Sequence, residues 1–266
     1  MSNPNPINSV KTRCFVLCIG FFSIFDTIFI TRLNTFPAIF PLNDAAATIE
    51  LGNKLDESIN RKVMAMAAWL RSHAFDGLNN IIPAYSSLTV SYDPYLIKTR
   101  QRPASTAFDW IKDLLQAAYN QSNENSTASP VLHRIPVCYE EEYAPDLDTL
   151  ALHLQITTSE IIALHTAVVY RVYMIGFLPG FAYLGTVDEK IAAPRKAQPS
   201  SVMAGSVGIA GKQTGIYPLN SPGGWNIIGR IPLKMFDPHA EQPVWMQPGD
   251  AVQFFPITAR EFKMRQ

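Results

Sequence analysis

The sequence predicts an α+β protein in two parts, a small α+β sandwich followed by a compact β-barrel. In the first half, two stretches with apolar residues at helical spacing, 56–73 and 106–119, alternate with short strand-like runs. In the second half, short β-branched and aromatic runs are separated by turns rich in glycine and proline, which is typical of a small barrel. The polar segment 121–130 is the best linker candidate. We therefore expect an N-terminal domain over 36–122 and a C-terminal domain over 131–266.

The elements of the first half follow from spacing and turn residues. A strand is expected over 40–51 with a turn at Asn43 and Asp44, and two short strands over 81–90 flank Pro83. Asp56 or Ser58 is a suitable cap for the first helix. Five apolar residues share one face of that helix: Ile59, Val63, Met66, Ala67 and Leu70. The inward residues of the second helix are Phe108, Ile111, Leu114, Leu115 and Ala118.

The second half begins with a predicted strand over 131–137, short helices over 146–153 and 159–167, and a strand over 168–175. Thr158 or Ser159, with Glu160 following, is expected to begin the second of these helices. Four further strands are expected over 207–210, 225–231, 244–245 and 251–256. His165 stands alone on an apolar helix, where a hydrogen-bonded core histidine is the expected interpretation.

Composition argues against several classes of function. Lys plus Arg and Asp plus Glu both number 22, with no long run of one charge, so we expect no nucleic-acid partner. The three cysteines, Cys14, Cys18 and Cys138, form neither a disulfide framework nor a zinc-ligand pattern. This cysteine usage suits a reducing compartment, and we expect the protein to be cytoplasmic. The chain contains no GxxxxGK[ST] nucleotide loop and no GxSxG, HExxH or CxxC motif.

The stretch from Gly176 to Arg230 is the candidate functional region, because glycine, proline and aromatic residues occur together there at high density. Glycine permits positive φ or a close approach by another group, and rigid aromatic side chains beside such turns are typical of a cleft in a β-rich scaffold. The alternative is a set of tight turns around a barrel core. The aromatic residues concerned are Phe177, Phe181, Tyr183, Tyr217 and Trp225.

Within this region, Ser221–Trp225 reads SPGGW, and the order of proline and glycine predicts a type II turn. The successive amides of Gly223, Gly224 and Trp225 would then form an anion-binding nest for a carboxylate or an oxyanion. A turn without any ligand is the alternative.

Polar residues of the same region complete the candidate site. Arg195 follows Pro194 on a loop and is suited to bidentate binding of a carboxylate, with a solvated surface arginine as the alternative. The sequence places no base beside Ser206, so it is expected to donate a hydrogen bond and not to act as a nucleophile. We assign no catalytic residue and no metal ligand. The candidate substrate-binding residues are Phe181, Tyr183, Arg195, Ser206, Gln213, Tyr217, Ser221, Gly223, Gly224 and Trp225.

Several motifs, in order, resemble those of one known family. They are GFLPGFAYLG at Gly176–Gly185, the Pro194-Arg195 pair, AGSVGIAGKQTGIYP at Ala204–Pro218, SPGGW followed by IIGR, and, further upstream, IPAYSSLTVSYDP at Ile82–Pro94 and IPVCY at Ile135–Tyr139. The chain from about Phe36 onward is thereby similar to the B subunits of bacterial 5-oxoprolinases. That family also takes in the KipI-type inhibitors of sporulation kinases and the proteins called allophanate hydrolase subunit 1.

The resemblance implies a fold, an activity and partners. It implies an N-terminal α+β domain and a C-terminal cyclophilin-like β-barrel, acting with the A and C subunits of 5-oxoprolinase to hydrolyse 5-oxo-L-proline to L-glutamate at the expense of ATP. ATP would be bound by a partner chain, since this sequence has no phosphate loop, and no membrane association is expected for 36–266. One alternative is a regulatory protein that binds a sensor histidine kinase. A second alternative, a role in allophanate hydrolysis, has no amidase-type Ser-Ser-Lys arrangement in this sequence to support it.

The sequence departs from the family pattern at a few positions. Ser200 and Met203 stand where relatives usually carry Arg and Pro, so one arginine of a two-arginine substrate clamp is missing. Asn43 replaces the usual Gly before Asp44.

Residues 1–35 form a leader that allows three interpretations. Cys14–Ile30 is apolar and follows Lys11 and Arg13, as in an export signal or a single membrane anchor. Asp26 is costly inside an anchor. We favour the third interpretation, a start codon placed too far upstream, because recognisable domain sequence begins only near Phe36.

Overall fold

The computed structural model describes residues 36–103, 105–123 and 130–266. The leader 1–35 and most of the predicted linker lie outside these residues. The chain divides into two compact units between residues 127 and 128. Because that division falls outside the described residues, the expected domain bounds stay a prediction. Among the described residues, no helix has both the length and the apolar content needed to span a bilayer.

An antiparallel sheet organises the described part of the first unit, with its four strands in the order β1-β2-β4-β3. The strands are β1 Ala38–Asn43, β2 Ala46–Glu50, β3 Leu78–Pro83 and β4 Ser87–Tyr92. The expected strand over 40–51 is a hairpin, because the Asn43 side chain accepts the Ala45 N–H at 2.8 Å and closes a tight turn. The two strands expected around Pro83 are β3 and β4.

Two helices cover one face of this sheet. Helix α1, Glu57–Ser72, begins at Asp56, whose carboxylate accepts the backbone N–H groups of Ser58 and Ile59. Helix α2, Ala107–Gln121, begins with a capping box between Thr106 and Asp109. A short helical segment, Pro94–Leu96 continuing as Ile97–Gln101, lies between them in sequence. The shared core is formed by Ala47, Ile49, Val63, Met66, Ala67, Leu70, Leu88, Val90, Tyr92, Ile97, Ala107, Ile111, Leu115 and Ala118.

The second unit is built on a barrel. Its strands are β5 Leu132–Cys138, β6 Val169–Ile175, β7 Ala182–Gly185, β8 Ser200–Val202, β9 Ser206–Ala210, β10 Gln213–Ile216, β11 Ser221–Gly223, β12 Asn226–Arg230 and β13 Ala251–Ile257. Seven of them close in the order β10-β7-β6-β13-β5-β12-β9, while β8 and β11 pair as a separate ribbon. In the barrel β5 and β13 run parallel, and the other neighbours run antiparallel. The predicted α+β class with a β-barrel is confirmed.

Two details of the second unit correct the sequence analysis. Helices α3 Leu147–Leu154, α4 Thr158–Thr166 and α5 Ala259–Met264 accompany the barrel. The residue that caps helix α4 is Thr157, which forms a capping box with Glu160, so the cap lies one residue before the expected Thr158 or Ser159. The strand predicted over 244–245 is a loop, in which the Trp245 indole N–H donates to the Lys234 carbonyl oxygen at 3.0 Å. Prolines at 243 and 248 flank that segment and lack the N–H that a strand ladder needs.

His165 is fully buried in the barrel core, which confirms its interpretation as a core histidine. Its Nδ1 lies 2.8 Å from the Tyr139 hydroxyl and its Nε2 lies 2.9 Å from the Thr214 hydroxyl, while its ring stacks on Phe254 at 4.7 Å. Burial lowers the pKa of His165 from 6.5 to about 3. The ring is therefore neutral in the folded protein at pH values where the unfolded chain carries a charged histidine.

This difference predicts a loss of barrel stability in acid. Below pH 6.5 the unfolded state binds a proton that the folded state does not, so the free energy of unfolding falls by at most about 1.4 kcal/mol per pH unit until about pH 3. His165→Gln removes this titration. In urea unfolding, the stability advantage of the wild type over the variant should be roughly 2 kcal/mol smaller at pH 5 than at pH 7. An advantage that is equal at both pH values would contradict the assignment.

Candidate functional site

The candidate site lies on the outer face of the barrel, because strand alternation separates it from the core. On β7 and β10, Leu184 and Ile216 belong to the barrel core. Tyr183 and Gly215 are direct register partners and fall on the opposite face of the same two strands. A glycine opposite a tyrosine leaves backbone exposed on this outer face, where other rings can lie directly against the sheet.

Four of the predicted residues come together there as an aromatic cluster, defined by Phe181, Tyr183, Tyr217 and Trp225. The ring centroid of Phe181 lies 4.6 Å from that of Tyr183, 5.0 Å from that of Tyr217 and 5.5 Å from that of Trp225. All four side chains are buried, with exposed fractions from 1% to 8%. The rings therefore pack on one another, mostly edge to face, as a solid wall and not as the lining of an open cleft.

Two glycines allow this packing. A Cβ on Gly215 would lie 2.9 Å from Cζ3 of Trp225, and a Cβ on Gly223 would lie 2.5 Å from the hydroxyl oxygen of Tyr217. Real Cβ atoms do not approach other atoms so closely, so a side chain at either position would displace a ring. Neither glycine has positive φ. Glycine is therefore needed at these two positions only because the rings approach the backbone so closely.

The predicted type II turn at Ser221–Trp225 is wrong. Ser221–Gly223 is strand β11, and Pro222 is the register partner of Ser201 in β8. A type II turn needs positive φ at Gly223, which the backbone does not have. The amides of Gly223, Gly224 and Trp225 therefore do not form the expected nest, and the Trp225 N–H instead bonds to Tyr217. Proline fits this ribbon because β11 has only one partner strand among the described residues.

Arg195 lies at the edge of the aromatic cluster. Burial raises the pKa of Tyr217 to about 12, against the opposing effects of the hydrogen bond from the Trp225 N–H and of the positive charge on Arg195. The backbone N–H of the neighbouring Lys196 donates to the Gly224 carbonyl oxygen at 2.7 Å, which places the Arg195 loop beside Trp225 of the cluster. Arg195 is exposed, and no carboxylate in the described part of the chain forms an ion pair with it.

The remaining candidates are placed at different distances from the cluster. The Ser206 carbonyl oxygen accepts the Tyr217 N–H at 2.8 Å, and the Ser206 side chain is buried. The Ser221 hydroxyl is buried and has no hydrogen-bond partner within the described ranges. Gln213 begins β10, four residues before Tyr217, and is roughly 13 Å away along an extended chain. The structure therefore groups most of the candidates and leaves Gln213 at the far end of the strand.

Three residues that the sequence analysis missed hold the Arg195 loop. Asn226 donates from Nδ2 to the carbonyl oxygens of Pro194, at 2.9 Å, and Ile209, at 3.2 Å. The other two, Lys196 and Asp146, form an ion pair at 2.8 Å. The only sequence indication was the position of Asn226, directly after SPGGW.

A groove of the second unit lies away from the candidate residues. It has a volume of about 630 Å³, and none of the candidate residues lines it. Its lining comes from α3, α4 and the segment between them, and it includes the carboxylates of Asp148 and Glu160. The described residues contain no group of three or more His, Cys, Asp or Glu side chains placed to hold a metal ion.

Comparison with known proteins shows what the chain is similar to. The 5-oxoprolinase B subunit of Bacillus subtilis strain 168 is 41% identical over 223 residues, which cover 83% of this chain and 93% of that protein. The protein of the same name from Escherichia coli O157:H7 is 35% identical over 216 residues, covering 81% and 94% of the two chains.

Solved structures extend the comparison. The crystal structure of TTHA0988 matches with a TM-score of 0.69 and 34% identity over 84% of this chain, which spans 41% of the TTHA0988 chain. The urea amidolyase of K. lactis shares the fold, with a TM-score of 0.65 and 17% identity over 83% of this chain and 15% of that one. Residues 37–246 match the family model described as carboxyltransferase domain, subdomain C and D. The chain therefore belongs to this carboxyltransferase-domain family, together with the bacterial 5-oxoprolinase B subunits.

Proposed function

We propose that this chain is one component of an ATP-dependent 5-oxoprolinase and hydrolyses 5-oxo-L-proline to L-glutamate together with the A and C subunits of that enzyme. Two relatives named as 5-oxoprolinase B subunits are 35% and 41% identical, and the chain covers more than nine-tenths of each. This near-complete coverage supports an equivalent role, because almost the whole of each relative has a counterpart in this chain. A component of this kind would work in the cytoplasm and require its partners for activity.

The observation that carries the proposal is the exposed Arg195 beside a rigid aromatic wall. 5-Oxoproline is a small lactam with one carboxylate, and an arginine fork is the side chain best matched to a carboxylate. Arg195 has no competing carboxylate among the described residues, so its charge is available to a ligand. The aromatic cluster is too well packed to enclose a substrate alone, and we infer that a partner chain supplies the rest of the pocket.

We further propose that ATP binds to a partner chain. The sequence lacks a Walker-type phosphate loop, which supports this division of labour. The candidates Phe181, Tyr183, Tyr217 and Trp225 then shape the site, while Arg195, Ser206, Ser221, Gly223 and Gly224 lie close to it. Gln213 has the weakest support, because it lies at the opposite end of β10.

Reconstitution tests the proposed function. The chain is co-expressed with the products of neighbouring genes, and glutamate release is measured with 5-oxoproline and ATP. Activity that requires this chain supports the proposal, and an equally active complex without it contradicts the proposal. Capture of a sensor histidine kinase, with no glutamate release, would favour the regulatory alternative.

Arg195→Ala should lower kcat/KM for 5-oxoproline by roughly 10- to 100-fold, because a hydrogen-bonded charge pair contributes about 1.5–3 kcal/mol. Arg195→Lys keeps the positive charge but lacks the planar guanidinium fork. Its kcat/KM should lie between those of the wild type and the alanine variant. Arg260→Ala, which removes an exposed arginine from α5, is the matched control. Equal turnover by Arg195→Ala and the control would exclude Arg195 from the site.

A further inference from the structure

The segment that carries Arg195 is fixed on both sides of that residue. On one side, the Pro194 carbonyl oxygen accepts a hydrogen bond from Asn226 Nδ2 at 2.9 Å. On the other side, the Lys196 backbone N–H donates to the Gly224 carbonyl oxygen at 2.7 Å. Arg195 lies between these two anchors and is itself exposed. A loop with both neighbours bonded to the barrel presents its middle side chain from a nearly fixed backbone position.

A half-buried ion pair strengthens the second anchor. Lys196 Nζ donates to Asp146 Oδ2 at 2.8 Å and to the Ser200 hydroxyl at 2.8 Å. The same Asp146 oxygen accepts the Ile227 N–H at 2.7 Å, and the Asp146 N–H donates to the Ile227 carbonyl oxygen at 3.0 Å. The side chains of Lys196 and Asp146 are 21% and 23% exposed. Asp146 is thus bonded to β12 through backbone and side chain together, and it holds Lys196 from that position.

Lys196 and Arg195 consequently differ in whether their positive charge is available to a ligand. Asp146 neutralises Lys196 and bonds it to the barrel, whereas no carboxylate in the described residues pairs with Arg195. An anion that approaches this edge of the barrel therefore meets the arginine fork as its bidentate partner. The planar fork prefers a carboxylate or a similar planar oxyanion.

We propose that Asp146 and Asn226 are positioning residues, which act on the substrate carboxylate only through Arg195. This inference rests on the proposed function for its substrate. It assigns to Lys196 a structural role instead of substrate contact. If Asp146 acts in this way, its loss should matter only while the Arg195 side chain is present.

A double-mutant cycle in the reconstituted complex tests the inference. Asp146→Asn should lower kcat/KM for 5-oxoproline about tenfold, mainly through KM, because ground-state binding of the carboxylate is weakened. The same change added to Arg195→Ala should cause no further loss. Independent losses that multiply in the double variant would overturn the inference. Asn226→Ala should cause the same loss of kcat/KM as Asp146→Asn. It replaces Asp146→Asn in the cycle if that variant does not fold.

Amide hydrogen exchange supplies a readout that does not depend on activity. Asp146→Asn should speed exchange of the Lys196 N–H at least about tenfold, because its bond to Gly224 loses the support of the ion pair. Glu189→Gln is the matched control, since it removes an exposed lysine pair, with Lys212, from the same unit. Unchanged exchange in Asp146→Asn would overturn the positioning role. If the wild-type complex releases no glutamate while amide exchange is still faster in Asp146→Asn, the proposed function is rejected. The support of the Arg195 loop by Asp146 would stand in that case.

Discussion

The close approach of aromatic rings to side-chain-free backbone is the constraint on which the candidate site depends. Trp225 lies against Gly215, and the Tyr217 hydroxyl lies against Gly223, at separations that leave no room for a Cβ atom. The ring positions fix the backbone from Gly223 to Trp225, and that backbone bonds to Lys196 through the Gly224 carbonyl oxygen. Arg195 directly precedes Lys196 in the chain, so its position is set by the packing on the outer face of the barrel.

A single strand connects this outer packing to the barrel core. On β10, Thr214 points inward and bonds to His165, while the next residue, Gly215, faces the aromatic cluster. The two ring nitrogens of His165 are satisfied by the neutral hydroxyls of Tyr139 and Thr214. A neutral, hydrogen-bonded core of this kind holds β10 in one register, which supports the outer packing.

The sequence was most informative where structure is set by near neighbours. The helix at 57–72 and its Asp56 cap were predictable because apolar spacing and capping act within one or two turns. The ribbon at Ser221–Gly223 was not predictable from the sequence, because Pro-Gly is locally typical of a turn and the partner strand β8 lies about twenty residues earlier. The Asp146–Lys196 pair joins residues 50 positions apart, and no local spacing reveals such a contact.

Two neighbouring glycines give the most direct measurement of the central claim. A Cβ at Gly223 would overlap Tyr217, whereas a Cβ at Gly224 would lie 3.7 Å from the Lys196 carbonyl oxygen, an ordinary contact distance. Gly223→Ala should lower the unfolding free energy by roughly 1–3 kcal/mol and weaken the near-ultraviolet circular dichroism of the packed rings. Gly224→Ala should leave both unchanged or raise stability slightly. Equal effects of the two substitutions would show that ring-to-backbone contact does not determine the geometry of the site.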